Sequence, residues 1–303
     1  MSEYQKLFES LVELRGKYKF DAPLAKHTWF KVGGTADVLF DPKDETELQY
    51  FLRHCPADIP ITILGLGSNM LIRDGGIRGV VIRLRGKFSY IGHHGNIITA
   101  GAGTSDIRIA KYAANIGLSG FSFLAGIPGN LGGALRMNAG AFGNEVQDIF
   151  ISAQAIDRGG WIHEISFENM GFAYRHTEIP DDWIFLSASM KAIGTDLSEN
   201  LNQQIKDIQQ KREGTQPKAV LTGGSTFANP EGYKAWQLID QAGFRGYRLG
   251  GAQVSEKHCN FLINTGNATA KDIEDLGELV RQKVKEQSGI ELRWEIRRIG
   301  EYS

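Results

Sequence analysis

Apolar positions along this chain recur with two periods, one helical and one alternating, and the two are interleaved as in a mixed α+β protein. Leu7–Leu14 reads as a short amphipathic helix. Between Asp44 and Cys55, the residues Leu48, Phe51, Leu52 and Cys55 fall at helical spacing, and Pro56 ends the segment. Strands are predicted at Ile61–Leu64, Val80–Leu84 and Ile97–Ala100, with Leu71-Ile72 running into a hairpin at Arg73–Gly76. Ser105 is placed to cap a helix that turns Ile107, Ala110 and Ala114 inward and stops at Gly117. Strands near Ile151–Asp157, Trp161–Ile165 and Ile184–Ile193 follow, then a polar helix over Leu197–Arg212.

Beyond Gln216-Pro217 the pattern restarts. It predicts a loop at Thr222–Pro230, a helix Lys234–Ala242, a strand Asn260–Asn264 and a helix from Ala270 to Gln287 with Ile273, Leu276, Val280 and Val284 inward. The last stretch alternates Ile290, Leu292, Trp294 and Ile296 against Glu291, Arg293, Glu295 and Arg297, which predicts a strand. No internal repeat is present.

Glycine interrupts these periods. The chain has 37 glycines, concentrated at Gly65–Gly79, Gly101–Gly143, Gly223–Gly224 and Gly243–Gly251. The Ile, Leu, Phe and Val between them separate these stretches from flexible linker. Gly120–Gly143 is too rich in Gly, Pro and Asn to be regular throughout, yet it is long and apolar, so it is expected to pack against a ligand.

Composition narrows the picture further. The 303 residues include 34 basic and 35 acidic side chains for a formal charge of −1, so neither a nucleic-acid nor a membrane partner is expected. Any phosphate must be held by local groups. At roughly 150 residues per domain the length suggests about two domains. No apolar run approaches the ~18 residues of a membrane helix, and Met1-Ser2-Glu3-Tyr4-Gln5 lacks a signal-peptide pattern. The two cysteines, Cys55 and Cys259, show no metal-ligand spacing and read as reduced thiols, with a single disulfide as the alternative. A cytoplasmic location is expected. None of the seven histidines clusters with acids or cysteines, so no metal is expected.

The glycine loops must be tested against a nicotinamide-binding fingerprint. Gly65-Leu66-Gly67-Ser68-Asn69-Met70 follows a predicted strand, but Met70 stands where the third glycine is required, and no helix follows. Gly101-Ala102-Gly103 fails in the same way, with Asp106 in the third place. Glycines also let successive amides converge on an anion, and Ser68 and Asn69 can add side-chain hydrogen bonds. A pair of tight turns explains any one such loop equally well.

Taken together, the loops are more specific. Trp29–Ala36 (WFKVGGTA), Leu64–Ile72 (LGLGSNMLI) and Leu124–Gly143 (LAGIPGNLGGALRMNAGAFG) occur in this order, followed by Phe172–Arg175, Gly223–Pro230 and Trp294–Gly300. This set resembles the UDP-N-acetylenolpyruvoylglucosamine reductase family over essentially the whole chain after Asp21. The Met137-Asn138-Ala139-Gly140 form and the short C-terminal part are similar to the family's second type, which lacks an inserted substrate-capping segment. The resemblance implies an α+β protein. It would have a two-part FAD-binding domain of the vanillyl-alcohol-oxidase (PCMH) type, followed by a smaller α+β substrate-binding domain. The expected boundaries are an N-terminal helical extension over 1–20, the FAD-binding domain over 21–200 with lobes of about 21–86 and 87–200, and the C-terminal domain over 201–303.

It also implies a reaction and the residues for it. NADPH would reduce non-covalently bound FAD and leave, and the UDP-sugar would take its place. Hydride then passes to the outer carbon of an enolpyruvyl ether and a proton to its neighbour. Ser225 matches the proton donor; by itself it fits a turn serine as well. Arg175 matches the arginine that holds and polarises the substrate carboxylate, a task suited to a guanidinium fork. Glu295 matches the partner that stabilises the enolate, although it lies on the polar face of the predicted last strand. FAD contacts are implied for Gly65, Gly67, Ser68, Asn69, Gly126, Ile127, Pro128, Gly129, Gly133, Asn138 and Gly140. Tyr174, Arg212, Asn229 and His258 match substrate positions, although Arg212 also fits the solvated face of a polar helix.

One departure stands out. Ala228 occupies a place where the family commonly has lysine, and Lys218 is the cation that could substitute. A monomer is expected. The alternative activity is an oxygen-using sugar or alcohol oxidase on the same flavin fold, whose larger substrate domain fits poorly after Gln216.

Overall fold

The computed structural model describes residues 3–303; Met1 and Ser2, the start of the expected N-terminal extension, lie outside them. The chain forms two compact units, each assembled from three separate pieces. Unit 1 comprises Met1–Phe20, Val38–Gly65 and Gly79–Arg212, and unit 2 comprises Asp21–Asp37, Leu66–Arg78 and Glu213–Ser303. The unit boundaries differ from the contiguous 21–200 and 201–303 segments expected from sequence, because Asp21–Asp37 and Leu66–Arg78 make their contacts with the C-terminal residues.

Unit 1 has two apolar clusters. In the first, a five-stranded sheet has the order Ile162–Ser166, Phe150–Ile156, Ile184–Lys191, Ile97–Gly101, Ile91–His94, antiparallel throughout. Ile98, Ala153 and Met190 from this sheet share a core with Ile109, Ala110 and Ala113 of the Asp106–Asn115 helix. Ser105 is the residue before that helix but makes no side-chain capping bond, and Ile109 rather than Ile107 is its fully buried isoleucine.

The Gly120–Gly143 stretch breaks into a 3-10 turn at Ser122–Gly126, a short helix Leu131–Arg136 and a tight hairpin pairing Gly140–Ala141 with Asn144–Glu145. Leu124, Leu131 and Leu135 anchor these pieces in the first core, so the loop's irregular backbone is carried on buried leucines.

The second cluster gathers Phe8, Phe40, Leu48, Phe51, Val80 and Ile82. The first helix spans Glu3–Ser10, earlier than the periodicity predicted, and Phe8 sits 5.6 Å from the ring centroids of both Phe40 and Phe51. It is therefore an integral part of unit 1. The neighbouring strand runs Ile77–Ile82, three residues ahead of its predicted start.

Unit 2 is built on the Ala270–Ser288 helix. Thr269 and Asp272 form a reciprocal capping box at its start, and Gly289 ends it at φ 72°, a left-handed conformation glycine reaches without a Cβ clash. Ile273, Leu276, Val280 and Val284 face a core shared with Phe30, Phe227, Ile239, Val254 and Leu262.

Two predictions fail here for one reason. The hairpin after Ile72 does not form; instead Met70–Ile72 pairs in parallel with Arg297–Ile299. The predicted final strand is correspondingly displaced and begins only at Arg297. Leu292 and Ile296 are buried as alternation demands, but the backbone of 293–296 bonds to the irregular segment around Thr226. Alternation identified the buried face correctly; the ladder partner lay more than 200 residues away in sequence.

Candidate functional site

In unit 2, three distant segments are knitted into one frame. The Thr226 amide donates to the Asn260 carbonyl at 2.7 Å, the Glu295 amide donates to the Thr226 carbonyl at 2.9 Å, and the Ala228 amide donates to the Arg293 carbonyl at 2.9 Å. The buried Asn260 side chain completes the frame from within. Its Oδ1 accepts from the Phe227 amide at 2.9 Å and its Nδ2 donates to the Phe227 carbonyl at 2.8 Å. Ser225 and Glu295 therefore leave adjoining segments of one hydrogen-bonded patch, 70 residues apart in sequence. Both are half-buried.

The glycines before Ser225 make this approach possible. A Cβ on Gly223 would fall 2.4 Å from the Phe30 ring, and Gly224 has φ +84°. Among the described residues no partner takes the Ser225 hydroxyl. Asn69 belongs to the same patch: its Nδ2 donates to the Glu295 carbonyl at 3.1 Å, and its own carbonyl accepts from the Arg297 amide at 3.1 Å. Its side-chain amide is thus partly used inside the protein. Ser68 next to it is half-buried without an internal side-chain partner.

In unit 1, Arg175 sits at the centre of a different arrangement. Its backbone is left-handed at φ +57°, and Asn138 and Phe142 nearby are left-handed too, at +38° and +54°. Such conformations cost an L-residue about 1–3 kcal/mol each and persist where the surroundings enforce them. The Arg175 guanidinium donates to the Gly140 carbonyl at 3.0 Å and the Asn138 carbonyl at 3.4 Å, and it lies 5.0 Å from the Tyr174 ring centroid. Glu145, which the sequence motifs did not single out, stands 3.9 Å away as an ion-pair partner. Asn138 is fully buried; its Nδ2 donates to Glu145 at 2.9 Å and its Oδ1 accepts from the Gln147 amide at 3.1 Å. The structure thus brings together Arg175, Tyr174, Asn138 and Gly140.

The predicted cofactor glycines divide into two groups. Gly67 must be glycine for the chain itself, since a Cβ would fall 2.3 Å from the His27 carbonyl oxygen. Gly126 is similarly closed by Phe142 at 2.9 Å, and Gly140 by the Asn144 carbonyl at 2.7 Å. Gly133 is the opposite case: exposed, with no atom within 4 Å of a built Cβ. Gly65 meets only the Asn130 side chain, at 3.2 Å. Gly65 and Gly133 offer bare backbone to an outside group. Ile127 and Pro128, a few residues before Gly133, are half-buried, and Phe142 and Tyr174 of the same unit are exposed apolar side chains. Bare amides with exposed rings and aliphatics suit a flat aromatic cofactor carrying phosphates.

Gly129 adds an unexpected feature. A Cβ there would fall 2.9 Å from Asp106 Oδ2, and the Asp106 amide donates to the Gly129 carbonyl at 3.0 Å. Both carboxyl oxygens of Asp106 are buried without a hydrogen-bond partner. Burial pushes this carboxyl well above the usual carboxylate range.

The remaining positions are more scattered. Asn229 is exposed, and its Oδ1 accepts from the Ala235 amide at 3.0 Å, steadying the start of the Ala235–Gln241 helix. His258 is packed edge-on against Phe261, and burial, with a smaller contribution from the Arg245 charge, lowers its imidazole below the ordinary value. Arg212 lies in the Ser198–Thr215 helix and is half-buried, which lowers its guanidinium from the ordinary value. Lys218 pairs with Glu213 at 2.9 Å on the surface, while Ala228 is buried. Cys55 and Cys259 are both free and buried, and burial pushes the Cys259 thiol up to about 11. Among the described residues no group of His, Cys, Asp and Glu could hold a metal ion, and no helix is long and apolar enough to cross a membrane.

Comparison with known proteins bears on both units. Residues 216–299 match the family model for the C-terminal domain of UDP-N-acetylenolpyruvoylglucosamine reductase, and residues 36–166 match a model described as an FAD binding domain. The chain is 55% identical over 292 residues to the UDP-N-acetylenolpyruvoylglucosamine reductase of Paramagnetospirillum magneticum, covering 96% of this chain and 95% of that one. It is 54% identical over 294 residues to the enzyme of the same name from Azorhizobium caulinodans, covering 97% and 95%. The crystal structure of UDP-N-acetylenolpyruvylglucosamine reductase from Thermus caldophilus superposes with a TM-score of 0.81 at 32% identity, covering 95% of this chain and 100% of that one.

Proposed function

The chain belongs to the UDP-N-acetylenolpyruvoylglucosamine reductase family, and from that premise we propose how its own residues carry the reaction. It is an FAD-containing oxidoreductase of the vanillyl-alcohol-oxidase-like fold with a C-terminal domain. It uses NADPH to reduce UDP-N-acetylglucosamine enolpyruvate in peptidoglycan precursor synthesis. When bound, FAD relays hydride from NADPH to the outer carbon of the enolpyruvyl double bond. The oxidase alternative is set aside, since the reductase matches run through 95% or more of this chain and of each relative cited.

Ser225 is the proton donor to the carbon beside the carboxylate. Among the described residues its hydroxyl has no partner, and the amide and carbonyl of the next residue, Thr226, are both bonded to backbone. Glu295 supports the enolate from the adjoining segment. A serine hydroxyl is a weak acid in water, so its usefulness rests on this fixed position against a strongly basic carbon. Arg175 grips the substrate carboxylate and stabilises the charge that gathers there. The single observation that carries the roles of Ser225 and Glu295 is the backbone frame joining Thr226 to both Asn260 and Glu295.

FAD would be held through bare amides at Gly65 and Gly133 and through Ser68. Gly67, Gly126, Asn138 and Gly140 shape the loops that present them. Tyr174, Arg212 and His258 contact the uridine diphosphate sugar; Asn229 does so through Nδ2, because its Oδ1 is engaged by Ala235. The first 200 residues carry most of the cofactor contacts and residues 201–303 most of the substrate contacts. A monomer in the cytoplasm, without nucleic-acid or membrane partners, completes the proposal; gel filtration and cell fractionation test that part.

The decisive experiment is spectroscopic. Purified protein is expected to show flavin absorbance, to bleach with NADPH in the absence of oxygen, and to recover colour when the enolpyruvyl substrate is added. Bleached enzyme that stays colourless with that substrate would overturn the assignment.

A further inference from the structure

Glu145 is polar, lies outside every motif discussed above, and sits three-quarters withdrawn from water, with its side chain 27% exposed. A turn-capping role accounts for part of its position, since its amide donates to Asp148 at 2.7 Å at the start of a 3-10 turn. The cap is reciprocal, the Glu145 side chain accepting in turn from the Asp148 backbone, but capping does not explain the carboxylate's other contacts. Oε2 accepts from Asn138 Nδ2 at 2.9 Å and from Gln147 Nε2 at 3.1 Å, while Oε1 lies 3.9 Å from Arg175 Nη1.

The backbone has been arranged to permit this. Glu145 is directly paired with Gly140 across the hairpin. A Cβ on Gly140 would lie 2.8 Å from Glu145 Cγ and 3.2 Å from Arg175 Nη1. The same Gly140 carbonyl accepts from Arg175 Nη2. One glycine therefore lets a carboxylate, a guanidinium and a carbonyl converge. Asn138 ties the second edge, bonding to Glu145 through its side chain and to Arg175 through its carbonyl.

We propose that Glu145 is the positioning residue for Arg175, fixing through its carboxylate and Asn138 the angle at which the guanidinium meets the substrate carboxylate. The inference rests on the role given to Arg175 above. At 3.9 Å the ion pair is long enough to orient the guanidinium without the short paired hydrogen bonds that would commit its fork to an internal carboxylate. Losing Glu145 leaves Arg175 charged and present but without the carboxylate that sets its angle against the Gly140 and Asn138 carbonyls. The consequence falls on the step that uses the substrate carboxylate, and on kcat more than on KM, because the geometry is needed most where charge accumulates.

Glu145→Gln in the flavin-loaded enzyme separates this from a structural role. Expected are unchanged flavin content, unchanged thermal midpoint and unchanged bleaching by NADPH. Reoxidation at saturating enolpyruvyl substrate is expected to slow about tenfold, the scale of one lost charge-assisted contact, with KM altered less than twofold. Glu145→Asp, which keeps the charge, is expected to recover part of the rate. Reoxidation at the wild-type rate in E145Q, or equal slowing of both half-reactions in E145Q and E145D, would overturn the proposal. Arg175→Lys is the control for the underlying assignment. If it reoxidises normally, the role of Arg175 itself fails; if it is slow while E145Q is normal, only the role of Glu145 fails.

Discussion

The segment around Ser225 and the hairpin beneath Arg175 both present polar side chains from irregular backbone, yet they are held by different forces. Around Ser225 the chain is clamped by a ladder: amides and carbonyls of Thr226, Phe227 and Ala228 bond to Asn260, Arg293 and Glu295. Around Arg175 the backbone is left-handed at three non-glycine residues, and the constraint comes from side chains, namely Asn138, Glu145 and the guanidinium itself. A ladder resists displacement of the whole segment because several bonds must break together. A side-chain cluster fixes one angle and can be altered one atom at a time. The first suits a group whose position must not vary, and the second a group that must meet an incoming charge.

This contrast can be broken at several points. Ser225→Ala removes the donor and leaves the ladder. Reduction of the flavin by NADPH should be unaffected, while reoxidation by the enolpyruvyl substrate falls by roughly 10²–10⁴, the usual contribution of a positioned general acid. Stopped-flow measurement of the two half-reactions decides it; equal loss in both would remove Ser225 from the proton step.

Asn260→Ala attacks the ladder itself. It deprives the buried Phe227 amide and carbonyl of partners, so a loss of about 2–4 kcal/mol in folding stability is expected by thermal or denaturant melting. Unchanged stability would mean that the frame does not depend on the asparagine clamp.

Gly140→Ala probes the other region. A methyl group there meets the Asn144 carbonyl at 2.7 Å, and the hairpin must shift to accept it. Overpacking of this kind costs about 1–3 kcal/mol, and reoxidation should suffer more than reduction because the residue-140 carbonyl that accepts from Arg175 shifts with the hairpin. Wild-type kinetics in this variant would show that Arg175 is held from elsewhere.

The smallest effect is expected at Asp106, and it depends on pH. Burial raises its native pKa well above the value in the unfolded chain, so the folded state keeps a proton that the unfolded state releases. Its contribution is therefore most favourable below about pH 4, the ordinary range of an aspartate, and is lost as pH rises toward the raised native value. Asp106→Asn removes that penalty. Near pH 4 the two proteins should melt together, whereas at pH 8 the variant should melt at the higher temperature. A gain that is the same at both pH values would show that ionisation is not the cause.

Helical periods and stops were legible from local sequence, whereas the cap expected at Ser105 makes no side-chain bond. The Glu45–His54 helix capped by Asp44 and the Ala270–Ser288 helix capped by Thr269 follow from residues within a few positions of each end. The ordered glycine loops carried the family, because each loop motif is local even when its meaning is collective. What local sequence could not reveal was pairing. Nothing near Leu71 announces Arg298 as its partner, and nothing near Thr226 announces Glu295. Glu145 went unnoticed for the same reason: a lone glutamate in a turn looks solvated until Arg175 is brought beside it.

The sequence alone thus determined which residues are apolar, where most helices begin and end to within a few residues, and that glycine-rich loops would interrupt them. The division of the chain into interleaved units was decided only in three dimensions, as was the closing of Gly67, Gly126 and Gly140 by neighbouring chain. So was the convergence of Ser225 with Glu295 and of Glu145 with Arg175. The physical reason is range. Propensity and capping act over a few residues, whereas hydrogen-bond satisfaction and burial are conditions on the whole chain, met by whichever distant segments fit.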